Sequence, residues 1–354
     1  MRKARANSHH SPAIGRRHMI GLMTAGLGSA AIYQSVQPSY GATDPGLESL
    51  IKAAQAEGVV NYYTGLTENT DRRINEAFYK RYGIRPGVVI LSGAEVARRY
   101  SDEAAAGNIG ADVVILAGGA DALAALGQEK EWMEPISSSG LPTLTSGEFP
   151  ARMNPGRSAI ISITPWVIGY NTDKVSKAEI PKDYADLLNP KWKGQVLVND
   201  PADSIAYVDF WAVLADHYDA SFFEKLRQTI RHVGGPSIGT QALAAGDGAF
   251  AIPQTGAQVQ LVGSKGAPVG MVTMDLTTGV QNQVMLTARS KSKHPNAGRL
   301  FANWVMSMDG NKVVNDDPGA YSVYDTAHLP KMYEPPKPGN AARRDEIRKL
   351  MGFA

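Results

Sequence analysis

Apolar positions along the chain switch repeatedly between helical and strand spacing. From Gly46, "LESLIKAAQAEG" has the amphipathic spacing of a helix closed by Gly58, and "VVNYYT" follows as a strand ending in the loop Gly65-Leu66-Thr67. "TDRRINEAFYKRYG" sets Ile74, Ala77 and Phe78 on one helical face before Gly83, and "GVVIL" predicts a strand ending at Ser92-Gly93. "AEVARRYSDEAAAG" predicts a helix, "ADVVILAGG" a strand ending in two glycines, and "ADALAALGQE" another helix. Successive strand, loop and helix units of this kind predict a parallel sheet covered by helices. Such sheets bind ligands beyond the carboxyl ends of their strands. That puts Thr64–Thr67, Ser92–Gly93 and Ala117–Gly119 on one rim.

A Pro/Ser/Gly-rich passage over residues 135–158 precedes "AIISITPWVIGYNT", an apolar run long enough to leave one sheet and enter another. A second series follows: the strand "QVLVND", a helix over residues 204–219, the helix "SFFEKLRQTIRHV", the helix "GTQALAAG" and the strand "AFAIP". "VGMVTM" and "NQVMLTA" read as strands on either side of a return crossing at Asp275–Gly279. "NAGRLFANWVMSM" is a helix that turns Leu300, Phe301 and Trp304 inward, and "EPPKPGN" is a surface linker before a last helix. Two lobes joined by two crossings imply a hinge and a cleft.

The first 41 residues stand apart, with five of the chain's 36 basic residues and none of its 34 acidic ones. Their tract "MIGLMTAGLGSAAIY" is shorter than the roughly 20 apolar residues that span a bilayer. It has the size of a signal-peptide core, and Ser39-Tyr40-Gly41 ahead of Ala42 supplies small residues for cleavage near Gly41. Arg16-Arg17 directly before the tract resembles a twin-arginine export signal, with a Sec signal as the milder alternative. Without these residues the net charge is −3, and no basic run is left to attract nucleic acid or an anionic membrane. The remainder of the 354 residues suits two lobes of ordinary size. The absence of cysteine excludes disulfides, thiolate catalysis and Cys-ligated metals. "GLGSAA" at residues 26–31 matches a dinucleotide fingerprint only superficially, because no strand precedes it.

The segment "IPKDYADLLNPKWKGQVLVNDP" (residues 180–201) resembles the periplasmic solute-binding proteins of ABC transporters, in the group of ferric-iron and organic-anion binders. Pro181, Tyr184, Asp186, Leu187, Leu188, Pro190, Trp192, Gly194, Asp200 and Pro201 carry the likeness. "VVNYYTGLTE", "ADVVILAGGADALAAL", "WVIGYNTDKV" and "KSKHPNAGRLFANWVMS" extend it over nearly all of the chain beyond residue 41. The resemblance implies an α/β periplasmic-binding fold of type II, each lobe a mixed, mostly parallel sheet flanked by helices. The expected N-terminal lobe takes residues 42–162 and 276–315, the C-terminal lobe residues 163–275, and residues 316–354 form a tail and helix packed on both. It also implies a monomer that delivers a small-molecule solute to ABC permease subunits, without a cofactor and without enzymatic chemistry. Trp192 at such a turn reads as core.

In the iron-binding branch, the loop matching residues 253–257 carries two tyrosines and the first-strand loop a histidine. Here Thr255-Gly256 and Leu66-Thr67 stand in those places. Neutral hydroxyls and amides are poor partners for a hard trivalent cation, so the resemblance implies a polar organic ligand and no metal site; iron, direct or chelated, is the alternative. The break in "FAIPQTGAQVQL" then offers Gln254 and Thr255 to the cleft. Ser237, Gly239, Thr240 and Gln241 open one helix, and Asp203 or Ser204 caps another with Tyr207 one turn in; helix starts favour an anion. The expected contacts are Thr64, Thr67, Ser92, Gly119, Ser204, Tyr207, Ser237, Thr240, Gln254 and Thr255, on a carboxylate, phosphonate or sugar phosphate. The plain alternative for each Ser or Thr is a cap serving its own helix. Trp166 is a candidate aromatic wall, Trp211 reads as core, and Asp275 either selects a cationic amine or caps a turn.

Two rivals remain. "GPSIG" fits the G-x-S-x-G nucleophile elbow at Ser237, with Asp275 or Asp309 and His294 or His328 in the required order. Against it, "FFEKLRQTIRHV" has helical spacing where an elbow needs a strand. The other rival is a metal site, but His217, His232, His294 and His328 are not paired at metal spacing, and Asp200 with Asp203 reads as turn chemistry.

Overall fold

The structure is a computed structural model that describes residues 45–234 and 238–353. The expected export signal, its cleavage position and Ser237 lie outside the described residues. The strands are β1 (Val59–Thr64), β2 (Arg85–Ile90), β3 (Val113–Leu116), β4 (Met133–Glu134), β5 (Ala159–Asn171), β6 (Val196–Asn199), β7 (Ile230–Val233), β8 (Phe250–Thr255), β9 (Val269–Val272), β10 (Leu276–Thr277), β11 (Gly279–Thr287) and β12 (Met332–Tyr333). The α-helices are α1 (Pro45–Glu57), α2 (Glu68–Tyr82), α3 (Gly93–Ala105), α4 (Ala120–Glu129), α5 (Pro142–Thr145), α6 (Ile205–His217), α7 (Ala220–Thr229), α8 (Ile238–Ala244), α9 (Gly256–Gly263), α10 (Pro295–Met306), α11 (Met308–Val314) and α12 (Arg344–Met351).

The main sheet runs β2-β1-β3-β11-β5-β8-β6-β7, with β4 on β11 and β9 on β5. β1 lies parallel between β2 and β3, and β6 lies parallel between β7 and β8. Between these parallel blocks, β11 and β5 run antiparallel to their neighbours. β5 belongs to both halves: Ala159–Pro165 pairs with β11, and Trp166–Asn171 pairs with β8 and β9. This is a bilobed α/β fold of mixed sheets flanked by helices.

Each half has its own core. Tyr62, Phe78, Phe301 and Trp304 pack together in the first, with the Tyr62 and Phe301 rings 4.7 Å apart. Phe210, Trp211 and Phe223 fill the second, and Trp192 packs edge-on against Phe250 at 4.9 Å, as core. No helix among the described residues is long and apolar enough to cross a membrane.

Two expected elements differ. The helix over "NAGRLFANWVMSM" stops at Met306, and Ser307 caps α11 by accepting from the Gly310 N–H at 3.3 Å. The helix expected over "SFFEKLRQTIRHV" stops at Thr229, and Ile230–Val233 becomes an edge strand in register with Val196–Asn199. β-Branched Thr229, Ile230 and Val233 fit a pleated edge better than a helical last turn. The chain therefore does not adopt the expected helix just before residues 235–237: a strand ends at Val233.

Candidate functional site

A cleft of two adjoining chambers, about 680 and 870 Å³, lies where the strand ends of the two halves approach. Gly65 after β1, Ala117 after β3, Thr255 at the end of β8 and Val280 on β11 line both chambers. Helix N-termini converge there. Thr67, Ser92, Gly119, Ser204 and Thr255 are the N-cap residues of α2, α3, α4, α6 and α9, and all line the cleft. A helix start presents unpaired N–H groups and the positive end of its dipole, so five together make a field that favours negative charge. At Gly119 and Thr255 no cap side chain takes up the first-turn N–H groups.

The first chamber has a polar floor. Ser162 and Thr164 on β5 and Asn282 on β11 line it and make no side-chain hydrogen bond among the described residues. Of its charged residues, Arg72 binds Glu76 at 3.3 Å, Asp317 binds Arg73 at 2.8 Å and accepts from Thr70, and Glu68 makes no ion pair or side-chain hydrogen bond among the described residues.

The second chamber is different in kind. Ala97, Ala122, Leu123, Leu126 and Ile205 give it apolar walls, and Arg98, Asp203 and Arg344 are its charged residues. Arg98 and Arg344 have no ion pair or hydrogen bond among the described residues, and the Arg344 Nε is buried without a partner. Trp166 and Tyr207, with ring centroids 5.5 Å apart, form part of the same wall. The Trp166 indole N–H is buried and unpartnered. Burial, with Asp203 nearby, pushes the Tyr207 phenol up to about 12, so it stays a neutral hydroxyl.

The expected contacts divide. Thr67, Ser92, Gly119, Ser204, Tyr207 and Thr255 line the cleft. Thr67 and Ser92 spend part of their capacity locally: Thr67 accepts from the Thr70 N–H at 3.2 Å, and the Ser92 hydroxyl donates to Glu95 at 2.7 Å. Thr64, Thr240 and Gln254 are corrections. Thr64 is fully buried and accepts from the Leu66 N–H at 2.9 Å, shaping the rim from beneath. The buried Thr240 hydroxyl donates to Gln254 Oε1, while Gln254 Nε2 donates to the Pro253 carbonyl at 2.7 Å. Both side chains tie α8 to β8 below the cleft floor. Ser237 is outside the described residues.

Asp275 is an exposed side chain 3.9 Å from Lys331 and does not line the cleft. The acids and histidines considered for a triad have other partners: His294 pairs with Asp112, His328 with Asp325 and Asp309 with Arg81. Trp166 lines the cleft, whereas Trp211 is fully buried. Sequence reasoning missed Arg98, Ser162, Asn282, Asp317 and Arg344. Arg98 was within reach, since it lies two turns into the helix that Ser92 opens. Arg344 had no local signal, because only the packing of the C-terminal helix brings it there.

Similar folds are known. The substrate binding protein of an ABC transporter from Agrobacterium tumefaciens has a TM-score of 0.67 at 16% identity, over 83% of this chain and 94% of that one. A Trichodesmium protein in complex with iron and citrate scores 0.61 at 20% identity, over 84% and 99%. AfuA from Actinobacillus pleuropneumoniae, with fructose 6-phosphate bound, scores 0.57 at 18% identity, over 84% and 97%. At these identities the likeness is one of fold. Residues 111–251 match the family described as bacterial extracellular solute-binding protein, a stretch that runs from β3 through the crossing strand β5 to β8. That match lies on a bilobed sheet whose strand ends meet at a cleft, so in this stretch the chain is similar to the bacterial extracellular solute-binding proteins.

Proposed function

We propose that the protein captures a small organic anion, a carboxylate, phosphonate or sugar phosphate, by lobe closure, and presents it as a monomer to the permease of an ABC importer. The convergence of five helix N-termini on one cleft carries this reading. Fold and family are those of non-catalytic binding proteins that work outside the cytoplasm. We take residues 42–162 with 276–315 as one lobe and 163–275 as the other, with 316–354 packed on both. Thr67, Ser92 and Gly119 then come from one side of the cleft, and Ser204, Tyr207 and Thr255 from the other. Neither side alone holds the solute, so binding and closure are linked.

A second reading is ferric iron, free or as a chelate. Similarity to structures that carry iron, the Trichodesmium protein with iron and citrate among them, favours it. The helix N-termini that line the cleft favour the anion. Ferric citrate would satisfy both, since carboxylates carry its charge.

Thermal-shift and calorimetric titrations with citrate, a phosphonate, fructose 6-phosphate, ferric citrate and a simple ferric salt separate these readings. An organic anion is expected to raise the melting temperature, less so at high salt. A response confined to the ferric salt, with a visible charge-transfer band, would replace the first reading by the second.

A further inference from the structure

We propose that the solute is a carboxylate with a flat apolar body, lying in the second chamber with its charged end at Arg344 and Arg98. This rests on the anion reading and narrows it. Part of the wall, Ala97, Ala122, Leu123, Leu126 and Ile205, offers contact to carbon, beside the polar Ser92, Ser101, Ser204, Thr255 and Gln258. Sugar hydroxyls set against the five apolar residues would lose hydration without replacement, which is unfavourable. A ring or short hydrocarbon loses nothing polar and gains by leaving water.

The charged end is placed by the arginines. A guanidinium matches a carboxylate with two parallel hydrogen bonds, and neither Arg98 nor Arg344 forms a salt bridge or hydrogen bond among the described residues, although Glu95 acts on Arg98 electrostatically. Arg344 opens α12, where the helix dipole disfavours a cation, so helix stability does not explain it. Asp203 on the same lining leaves the chamber with one net positive charge, suited to a monocarboxylate. Two further donors lie on the wall, the unpartnered Trp166 indole N–H and the neutral Tyr207 phenol. The volume of about 870 Å³ is that of a site for an organic molecule rather than a single ion.

The test is isothermal calorimetry with 2-naphthoate and phenylacetate, their amides, fructose 6-phosphate and citrate. Naphthoate or phenylacetate is expected to bind at least about tenfold tighter than its amide and tighter than either polar anion. Arg344→Gln and, separately, Arg98→Gln are expected to weaken the carboxylate by about tenfold or more while the amide is unaffected. The second variant keeps the test open if the first fails to fold. Preferred binding of fructose 6-phosphate or citrate overturns the apolar body but leaves the anion reading standing. Carboxylate binding that neither Arg variant weakens overturns the placement of the charged end. Binding of no anion at all overturns both readings.

Discussion

Arg73 on α2 and Asp317, in the segment after α11, form an ion pair at 2.8 Å with both side chains about four-fifths buried. Asp317 also accepts from the Thr70 hydroxyl. The next residues pass close to Gly256 at the start of α9, and Tyr321 then pairs with Ile163 of β5. The segment Asp317–Ala320 is therefore a strap along the first chamber, fastened to α2 at one end and to the crossing strand at the other.

Asp317→Asn is expected to cost about 1–3 kcal/mol, because Arg73 keeps its burial and loses its counter-charge. Burial pushes the Asp317 carboxyl up, but the hydrogen bonds from Arg73 and Thr70 outweigh it and hold it below the ordinary value. A lowered folded pKa stabilises above the unfolded value of about 4 and stops doing so as pH falls through the lower folded one. Urea unfolding of both proteins at neutral and acid pH measures this; equal stability at neutral pH would show the strap to be unfastened.

Asp71 has the opposite sign. Its carboxyl is buried beneath the rim, accepts from the Tyr62 hydroxyl at 3.0 Å and leaves Oδ2 without a partner. Burial pushes it up to about 7, against a weaker opposing hydrogen bond from Tyr62. The folded state then holds a proton that the unfolded state releases near pH 4, so stability falls as pH rises from about 4 through 7. Asp71→Asn is expected to flatten that slope and to gain stability relative to the parent at pH 8. A parent whose stability is flat from about pH 4 to 8 would exclude a raised Asp71.

The Thr240–Gln254 pair tests the correction to the site. Thr240→Val leaves Gln254 Oε1 buried without its donor and is expected to cost about 1–3 kcal/mol while solute affinity is unchanged. A large affinity loss at unchanged stability would restore both residues to the cleft.

Trp166 and Trp211 both have a buried indole N–H with no partner, one on the cleft wall and the other inside the core. Trp166→Phe and Trp211→Phe each break no internal hydrogen bond and are expected to cost about 1–2 kcal/mol through lost volume. Only the first is expected to reduce solute affinity, read by calorimetry; equal affinity in both variants would remove the indole from the contact set.

Gly279 sits where β11 crosses back beside β5. A Cβ there would run into the Thr164 carbonyl and come within 2.8 Å of the Pro165 Cα, both backbone groups that cannot rotate away. Gly279→Ala is expected to destabilise by about 1–3 kcal/mol and to alter the closure of the lobes, measured by small-angle scattering with and without solute. Unchanged stability would mean the crossing has slack.

The strand-to-helix alternation of the first lobe was legible because periodicity and glycine stops are local. β1 with its rim loop and α4 appear where the pattern placed them. The edge strand β7 was not, since "TIRHV" has acceptable helical spacing and becomes a strand only by pairing with β6. Among the site residues, the cleft-lining N-caps were legible for the same local reason, as Ser, Thr and Gly at strand-to-helix junctions.

The sequence alone determined the bilobed architecture, the rim loops and the kind of polar group at each helix start. These follow from residue spacing, which local backbone preferences read directly. Only the tertiary structure decided which groups at the strand ends look into the cleft and which, such as Gln254 and Thr240, satisfy each other beneath it. It also decided that Arg344, from the far end of the chain, shares a chamber with Arg98. A side chain's outlook depends on what packs over it, and Arg98 and Arg344 stand more than 200 residues apart in the chain.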